Sequence, residues 1–211
     1  MSLPSSSSSN PSTLPALLSA AHFAALAHAH QRRKSPSAPA YIEHPLDVAR
    51  RIAGPGSSLY EGEGGEGASL EVLQAAILHD TIEDTEVTEE ELRERFGEVV
   101  TRIVLECSDD KNLNKEARKQ AQIDTAAHKS DEAKHVKLAD KLSNLTDLLS
   151  EEGRPRGWSV QRIQEYFVWS KRVTDSCKDV NPGLGAQLET IYKEATFRHG
   201  GKTYKAHPHC Q

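Results

Sequence analysis

Aromatic residues are scarce in this 211-residue sequence and make up only 5% of the chain. An aromatic-rich β-sandwich core is therefore disfavoured, and a core of Leu, Ala, Val and Ile packed between helices is favoured. Regular alternation of apolar and polar residues, which half-buried strands require, is also missing. No stretch approaches the roughly 18 consecutive apolar residues of a membrane helix, so we expect no membrane span. Together these absences predict an all-α fold.

Cysteine is rare as well, and the residues present are Cys107, Cys177 and Cys210. An odd number without a C-x-x-C spacing argues against both a disulfide framework and a structural zinc site built from thiolates. Residues 1–15 contain no basic residue and no apolar core, so they do not resemble a secretory signal. We therefore expect free thiols in a cytoplasmic protein, with a nuclear location left open.

A basic excess is missing too, because 26 Lys and Arg residues stand against 31 Asp and Glu residues, for a formal net charge of −5. Proteins that hold duplex nucleic acid usually carry a basic excess, and no reader motif for nucleic acid occurs here. Nucleic acid is therefore not an expected partner, and no obligate protein partner is evident. The ten His residues, in contrast, are many for this length and direct attention to metal binding or acid–base chemistry.

The chain is expected to form one domain, at residues 14–198, flanked by polar ends. Residues 1–13 are rich in Ser and cannot bury enough apolar surface to offset the entropy of ordering them, which predicts a disordered leader. Six Gly, one Pro and three Glu in residues 54–68 predict a flexible acidic loop. Residues 199–211 are polar and Gly-rich, and we expect them to form an unstructured tail.

Spacings of three and four between apolar residues locate the helices, together with N-caps at Ser69, Thr88, Ser159 and Asn181. Gly97 is expected to end one helix. The helices are predicted to cover residues 14–30, 45–53, 69–84, 88–96, 98–107, 115–126, 131–149, 159–177 and 181–197.

The pair His79-Asp80 is followed by Glu83-Asp84 at the end of an apolar helix. On a continuous helix, residues four apart lie on one strip, so His79 would stack over Glu83 and Asp80 over Asp84. Carboxylates crowded beside an apolar segment are costly to bury unless a cation lies among them. A divalent metal would meet this need. Alternatively, Glu83 and Asp84 solvate a helix end and His79 is a core imidazole.

Two further residues favour the metal. His44 directly precedes Pro45, which suits the first position of a helix, and Asp140 lies beside a stripe of leucines, where an unpaired carboxylate is costly. Two imidazoles and two carboxylates without thiolate suit Mn²⁺, Fe²⁺ or Mg²⁺, with Zn²⁺ as a further option. Such a metal polarises phosphate and activates water. Glu83 and Asp84 would then act as acid–base residues, which indicates hydrolysis of a phosphate or anhydride bond.

The pattern formed by His44, His79-Asp80 and Asp140 resembles that of the HD phosphohydrolase superfamily. Flanking motifs narrow the resemblance to the hydrolase domain of RelA/SpoT proteins and, more closely, to its small stand-alone eukaryotic version. The similarity covers about residues 16–198. The motifs are QRRK at 31–34, YIEHPLDVA at 41–49, LQAAILHDTIEDT at 73–85, SDDK at 108–111, VKLADKLSNL at 136–145, and GWS followed by R-x-Q-E-Y-F-x-W at 157–169.

This resemblance implies an all-helical HD domain that hydrolyses the 3′-pyrophosphate of (p)ppGpp to give GDP or GTP, with Mn²⁺ as the metal. It also implies an alternative, because stand-alone eukaryotic members are reported to remove the 2′-phosphate of NADPH and leave NADH. A nucleotide-binding sensor without turnover is a further alternative, against which the pair Glu83-Asp84 argues. No single residue decides between the two substrates.

The resemblance also implies three groups of functional side chains. The metal ligands would be His44, His79, Asp80 and Asp140. The catalytic pair would be Glu83 and Asp84. The substrate cleft would be lined by Arg33, Lys34, Lys115, Asn144, Arg162 and Tyr166. Cationic side chains suit a phosphorylated substrate, since Arg contacts phosphate as a planar fork and Lys as a point charge.

The sequence departs from the family near the predicted site. Ser143 stands where the family commonly has Tyr, and Ser108 where it has Thr. Neither change replaces a predicted metal ligand. We therefore expect the change near Asp140 to bear on the choice of substrate more than on the metal.

Overall fold

The computed structural model describes residues 13–60 and 67–210. The predicted disordered leader, apart from Thr13, lies outside the described residues, as do residues 61–66 of the predicted acidic loop and the last residue of the chain. Across the described part, no helix is both long enough and apolar enough to cross a membrane.

The described residues form a helical domain with a small hairpin near its C-terminal end, so the predicted all-α fold is confirmed. The helices are α1 (Thr13–Ala27), α2 (Glu43–Ala53), α3 (Leu70–Leu78), α4 (Thr81–Asp84), α5 (Glu89–Cys107), α6 (Lys115–Thr125), α7 (Asp131–Leu149), α8 (Val160–Thr174) and α9 (Pro182–Glu194). The strands are β1 (Thr196–His199) and β2 (Lys202–Lys205).

Helix α7 lies at the centre of the domain and contacts α2, α3, α5, α8 and α9. Its leucines Leu138, Leu142 and Leu145 are buried in the core. Because neighbours enclose it on several sides, α7 also buries polar side chains, among them His135 and Asp140. Buried polar groups are costly unless they are partnered. These two residues therefore mark positions where α7 depends on groups from other elements.

The predicted N-caps hold the starts of four helices. The side-chain oxygens of Ser69, Thr88, Ser159 and Asn181 accept hydrogen bonds from backbone N–H groups in the first turns of α3, α5, α8 and α9. A cap of this kind stabilises a helix by about 1 kcal/mol. Gly97 takes a φ of 83° inside α5 and interrupts its helical geometry at the predicted stop.

The helix predicted over 69–84 is wrong in one respect that matters for the site. Helix α3 ends at Leu78 and α4 begins at Thr81, so His79 and Asp80 form a turn between them. The Thr81 hydroxyl donates to the Leu78 carbonyl at 2.6 Å. A hydroxyl that engages a nearby backbone carbonyl competes with regular helix. The break separates His79 from α4, whereas Asp80 and Asp84 stay one helical turn apart, since the Asp84 backbone N–H donates to the Asp80 carbonyl at 2.8 Å.

The unstructured tail predicted over 199–211 is also wrong over much of its length. The segment Thr196–Lys205 pairs with itself as an antiparallel hairpin. Both residues of Gly200-Gly201 take positive φ values, which glycine adopts without strain in a tight turn. Phe197 and Ala206 are buried. Apolar residues at the ends of the hairpin thus anchor a segment whose composition is mostly polar.

The start of the predicted flexible loop over 54–68 is fixed in place. Ser57 is buried, and its hydroxyl accepts a 3.0 Å hydrogen bond from the Asn181 side chain at the start of α9. The Ser58 backbone N–H donates to the same side chain at 2.9 Å. Flexibility stays a prediction for residues 61–66, which lie outside the described residues.

Candidate active site

Three separate elements bring together the four predicted metal ligands. His44 lies in the first turn of α2, His79 and Asp80 lie in the turn between α3 and α4, and Asp140 lies in the middle of α7. His44 Nε2 is 3.2 Å from Asp140 Oδ1 and 3.7 Å from Asp80 Oδ2. His79 Nε2 is 3.1 Å from Asp80 Oδ2. These four residues, which we call the His/Asp cluster, line a cavity of about 170 Å³.

The Nδ1 atom of each imidazole contacts a neighbouring group, so that Nε2 faces the cluster. His79 Nδ1 is 2.8 Å from the Ala76 carbonyl oxygen, which can only accept, so Nδ1 carries a proton. His44 Nδ1 is 3.2 Å from the Ser143 hydroxyl oxygen. A hydrogen bond at one ring nitrogen fixes the orientation and tautomer of a histidine and leaves the other nitrogen available as a ligand.

The cluster fits a bound divalent metal. Donor atoms of His44, His79 and Asp140 lie within 4.8 Å of one another, and Asp80 adds a carboxylate oxygen beside both imidazoles. The His79 Nε2 atom is buried, and although Asp80 Oδ2 lies 3.1 Å away, the two are not aligned for a hydrogen bond, and no other described residue supplies one. A buried polar atom without a partner is costly. A cation coordinated by these imidazoles and carboxylates would remove that cost, and the donor set is one that divalent metals accept.

The charges around the cluster also attract a cation. Burial disfavours the charged form of His79, but the carboxylates of Asp80 and Asp140 and the Ala76 carbonyl together outweigh burial and raise the pKa of His79 to about 9. Burial likewise opposes ionisation of Asp80 and Asp140. The neighbouring His79 nevertheless holds the pKa of Asp80 below its ordinary range, and Lys141 does the same for Asp140. Protons and a metal therefore compete for the same place, and metal binding should release protons.

Two residues that support the carboxylates were missed by sequence reasoning. The Tyr41 hydroxyl donates to Asp80 Oδ2 at 2.6 Å, and Lys141 Nζ donates to Asp140 Oδ2 at 2.9 Å. Asn144, which was predicted to contact substrate, donates to Asp140 Oδ1 at 2.6 Å. Tyr41 lies within the YIEH motif, and Lys141 directly follows Asp140. Their closeness in sequence to predicted metal ligands could have identified them as residues of the site.

The predicted catalytic pair lies on α4, next to the cluster. Glu83 lines the cluster cavity, and Asp84 lines both this cavity and a larger one beside it. Glu83 Oε2 accepts a 3.1 Å hydrogen bond from the Asp109 backbone N–H. Burial, and then the Asp109 charge, raise the pKa of Glu83 above its ordinary value. A carboxyl group with a raised pKa accepts and returns a proton more readily than an ordinary glutamate.

The larger cavity has a volume of about 380 Å³. It borders the cluster cavity, because Tyr41, Asp84 and Asn144 line both. This volume lies within the range of roughly 300–1,000 Å³ that is usual for small-molecule sites. Its lining includes four of the residues predicted to bind substrate, namely Arg33, Lys34, Asn144 and Tyr166.

Arg33 joins the larger cavity to the cluster. Its guanidinium donates to Asp147 Oδ2 at 2.6 Å and to Asn144 Oδ1 at 3.0 Å. Asn144 in turn holds Asp140. A cationic group of the larger cavity is thus linked through one amide to a predicted metal ligand.

Lys115 and Arg162 are not brought into this arrangement. As far as the described residues define the two cavities, neither side chain is part of their linings. Lys115 is exposed at the first position of α6. Arg162 is exposed on α8, and its guanidinium lies 4.4 Å from the centroid of the Trp158 ring. Trp158 lines the larger cavity, so Arg162 reaches the outer edge of that cavity, whereas Lys115 lies apart from it.

The helical fold and the His/Asp cluster together define an HD domain. The family model described as the HD domain matches residues 20–165, which include all four cluster residues. An HD domain implies a divalent-metal site, and the cluster supplies the residues for one.

Named relatives narrow the class further. The guanosine-3′,5′-bis(diphosphate) 3′-pyrophosphohydrolase MESH1 of Danio rerio is 44% identical over 88% of this chain and 97% of that protein. Its Homo sapiens counterpart is 46% identical over 84% of this chain and 93% of that protein. A solved structure, described as a metazoan ortholog of SpoT that hydrolyzes ppGpp, aligns over 91% of this chain and 97% of its own, with a TM-score of 0.75 and 36% identity. The chain therefore belongs to the HD-domain family, in the group of the MESH1 pyrophosphohydrolases.

Proposed function

We propose that this protein is a metal-dependent hydrolase that releases the 3′-pyrophosphate of (p)ppGpp and leaves GDP or GTP. The observation that carries the proposal is the juxtaposition of two cavities. The first is lined by the His/Asp cluster, and the second carries the cationic residues Arg33 and Lys34. A phosphorylated nucleotide in the second cavity would place a phosphate at the cluster. The named relatives act on guanosine-3′,5′-bis(diphosphate) by their names.

The metal is proposed to be Mn²⁺, held by His44, His79, Asp80 and Asp140. The mixture of imidazole and carboxylate donors, without thiolate, suits this ion. When bound, the ion supplies Lewis-acid polarisation of a phosphate oxygen and a lowered pKa for water. The chain's own contribution is to hold the donors in place, through the contacts of Ala76 and Ser143 with the imidazoles and of Tyr41 with Asp80.

Glu83 and Asp84 are proposed to handle the proton of the attacking water. Glu83 lies in the cluster cavity with a raised pKa, so it can accept that proton and return it to the ribose 3′ oxygen when the bond to the pyrophosphate breaks. Asp84 lines both cavities and is placed to orient the water between the cluster and the substrate.

The larger cavity is proposed to hold the nucleotide. Arg33 and Lys34 would contact phosphate oxygens, and the Tyr166 ring would form part of the wall against the ribose and base. Arg162, stacked on Trp158, would contact the outer end of the substrate. Lys115 would take part only if α6 moved toward the cleft. The proposed partner is therefore a small nucleotide.

The free, buried residues Cys107 and Cys177 are consistent with the cytoplasmic location that we expect.

Removal of the 2′-phosphate of NADPH, the alternative implied by the resemblance, is not favoured by the relatives, whose names specify guanosine-3′,5′-bis(diphosphate). A sensor without turnover is not favoured either, because Glu83 is placed in the cluster cavity with a pKa that suits proton transfer. Both alternatives are outcomes of the same assay.

The proposal is tested by a paired assay with purified protein and Mn²⁺. One reaction contains ppGpp and is scored for GDP and pyrophosphate, and the other contains NADPH and is scored for NADH and phosphate. We expect faster turnover of ppGpp, its loss in Asp80→Ala, and its retention in Asp175→Ala, which removes a carboxylate from a surface ion pair. Unchanged turnover in Asp80→Ala would contradict the proposal. Faster turnover of NADPH, or tight binding without product, would assign the corresponding alternative instead.

A further inference from the structure

A third cavity lies behind His44, on the side away from the His/Asp cluster. Its volume is about 340 Å³, and its lining includes His44, Asp47, Ser143 and Arg33. The cavity lies where α2 and α7, which are packed together, present these residues to each other. The groups behind a metal-binding imidazole control its orientation and basicity, so the contents of this region bear on the proposed metal site.

Ser143 is the residue of α7 that contacts His44. It is 3% exposed, and its hydroxyl oxygen is 3.2 Å from His44 Nδ1. Ser143 therefore contacts a predicted metal ligand and does not line the larger cavity as the described residues define it, contrary to the expectation that it bears on the choice of substrate. A serine side chain leaves the adjoining space open and places a small group, which can both donate and accept, directly against the imidazole.

The direction of this hydrogen bond follows from the other ring nitrogen. His44 Nε2 faces Asp140 and Asp80 and must keep its lone pair free to bind a cation. The ring proton then resides on Nδ1, which donates to Ser143 Oγ. The Ser143 hydroxyl proton remains available for a further acceptor.

Asp47 is one acceptor in the wall of this cavity. It follows His44 by one turn of α2 and lines the same cavity. Its carboxylate is already paired with Arg51 at 2.6 Å and with Arg50 at 2.5 Å. Burial tends to raise the pKa of Asp47, but hydrogen bonds from Arg51, Arg50 and Ser143 lower it overall, so the carboxylate stays ionised and able to accept.

We propose that Ser143 and Asp47 are positioning residues for the metal site, forming a chain from the Asp47 carboxylate through the Ser143 hydroxyl to His44 Nδ1. This inference rests on the proposed metal site. In this chain the hydroxyl fixes the tautomer of His44 and, backed by the carboxylate, makes its Nε2 a stronger ligand.

The test is a titration of the metal-free protein with Mn²⁺, followed by calorimetry rather than by turnover. Loss of a group that orients a ligand typically weakens metal affinity about 10- to 100-fold. We expect Ser143→Ala to raise the dissociation constant about tenfold, Ser143→Thr to restore it because Thr keeps the hydroxyl, and Asp47→Asn to give a smaller loss. The melting temperature of the metal-free protein should change little in Ser143→Ala.

Ser170→Ala is the matched control. Ser170 is a fully buried serine on α8 whose hydroxyl finds no partner among the described residues, so its removal should leave the Mn²⁺ affinity unchanged. Equal affinity in wild type and Ser143→Ala would overturn the positioning role while leaving the proposed function intact. Equal losses in Ser143→Ala and Ser170→Ala would also overturn it, since the effect would then be general. A wild type that binds no Mn²⁺ would overturn the metal site and this inference together.

Discussion

Two clusters of buried polar side chains, each with a residue of α7, differ in how their polar atoms are partnered. One is the His/Asp cluster around Asp140. The other, which we call the Asn181 joint, consists of Asn181 with its partners Ser57, Ser58, Leu184 and His135. Asn181 is fully buried, and its Oδ1 accepts from the Ser58 and Leu184 backbone N–H groups at 2.9 and 3.1 Å. Its Nδ2 donates to Ser57 Oγ at 3.0 Å and lies 3.4 Å from His135 Nδ1.

The Asn181 joint and the His/Asp cluster differ in the groups that their polar atoms face. In the Asn181 joint, donors face acceptors, so the amide is satisfied within the protein and ties the start of α9 to the segment after α2. In the cluster, ring nitrogens and carboxylates point at one another around a cavity, and His79 Nε2 completes no hydrogen bond with described residues. The joint is complete by itself, whereas the cluster would be completed by the proposed metal. Substitutions in the joint should therefore affect stability, and substitutions in the cluster should affect chemistry.

The largest effect is expected from Asp80→Ala. Metal polarisation of a phosphate is worth several kcal/mol, so loss of a ligand should lower turnover of ppGpp at least about a thousandfold. The chain should remain folded, because the core around α7 is untouched. An assay of product formation measures the turnover, and circular dichroism measures whether the chain remains folded. Loss of the helical signal would show that the cluster also holds the fold, and the contrast with the Asn181 joint would then fail.

A smaller loss, about hundredfold in turnover, is expected from Glu83→Gln, which cannot accept a proton. The raised pKa of Glu83 also predicts how turnover depends on pH. The base works only when ionised, so wild-type turnover should rise with pH as Glu83 loses its proton. That rise should begin above the ordinary range of a glutamate and be missing from the pH profile of Glu83→Gln. The same acidic limb in both proteins would assign it to another group.

Asn181→Ala should leave Mn²⁺ affinity unchanged and lower the free energy of unfolding by about 2 kcal/mol, since it removes a helix cap and buried hydrogen bonds. Denaturant unfolding of the metal-free protein measures this value. Asn112→Ala, at an exposed asparagine, is the control and should lie close to wild type. An Asn181→Ala protein of unchanged stability would show that water replaces the lost contacts.

The cluster was accessible from sequence because each of its residues carries a short local signal. His44 precedes a proline, His79-Asp80 adjoins a second acidic pair, and Asp140 interrupts an apolar stripe. The packing of a helix without an apolar face could not be predicted from the sequence. Helix α6, which begins at Lys115, buries none of its described residues. Its sequence pattern therefore does not indicate which side of the helix packs against the domain. Lys115 was therefore assigned by resemblance alone, and it lies apart from the cavities.

Two other differences have local physical causes. At the turn of His79 and Asp80, the Thr81 hydroxyl donates to the Leu78 carbonyl, a contact that apolar periodicity does not reveal. The C-terminal hairpin is too short for alternation to register, although the pair Gly200-Gly201 was a turn signal. The Asn181 cap was predicted, but its contact with Ser57 joins residues far apart in the chain and could be seen only once the helices were packed.

The smallest predicted effect concerns His135, the imidazole of the Asn181 joint. Asn181 Nδ2 donates toward His135 Nδ1, which must therefore be unprotonated. Burial lowers the pKa of His135 below 6.5, although Asp131 and Glu132 oppose this. The unfolded chain then binds a proton more readily than the folded one, so stability should be full above pH 6.5 and should decline as the pH falls from there toward the lowered pKa. Urea unfolding of wild type and His135→Gln across this range isolates the contribution, because the variant lacks the titrating ring. A slope of opposite sign would mean that the acidic neighbours outweigh burial, and the joint would then resemble the cluster in attracting positive charge.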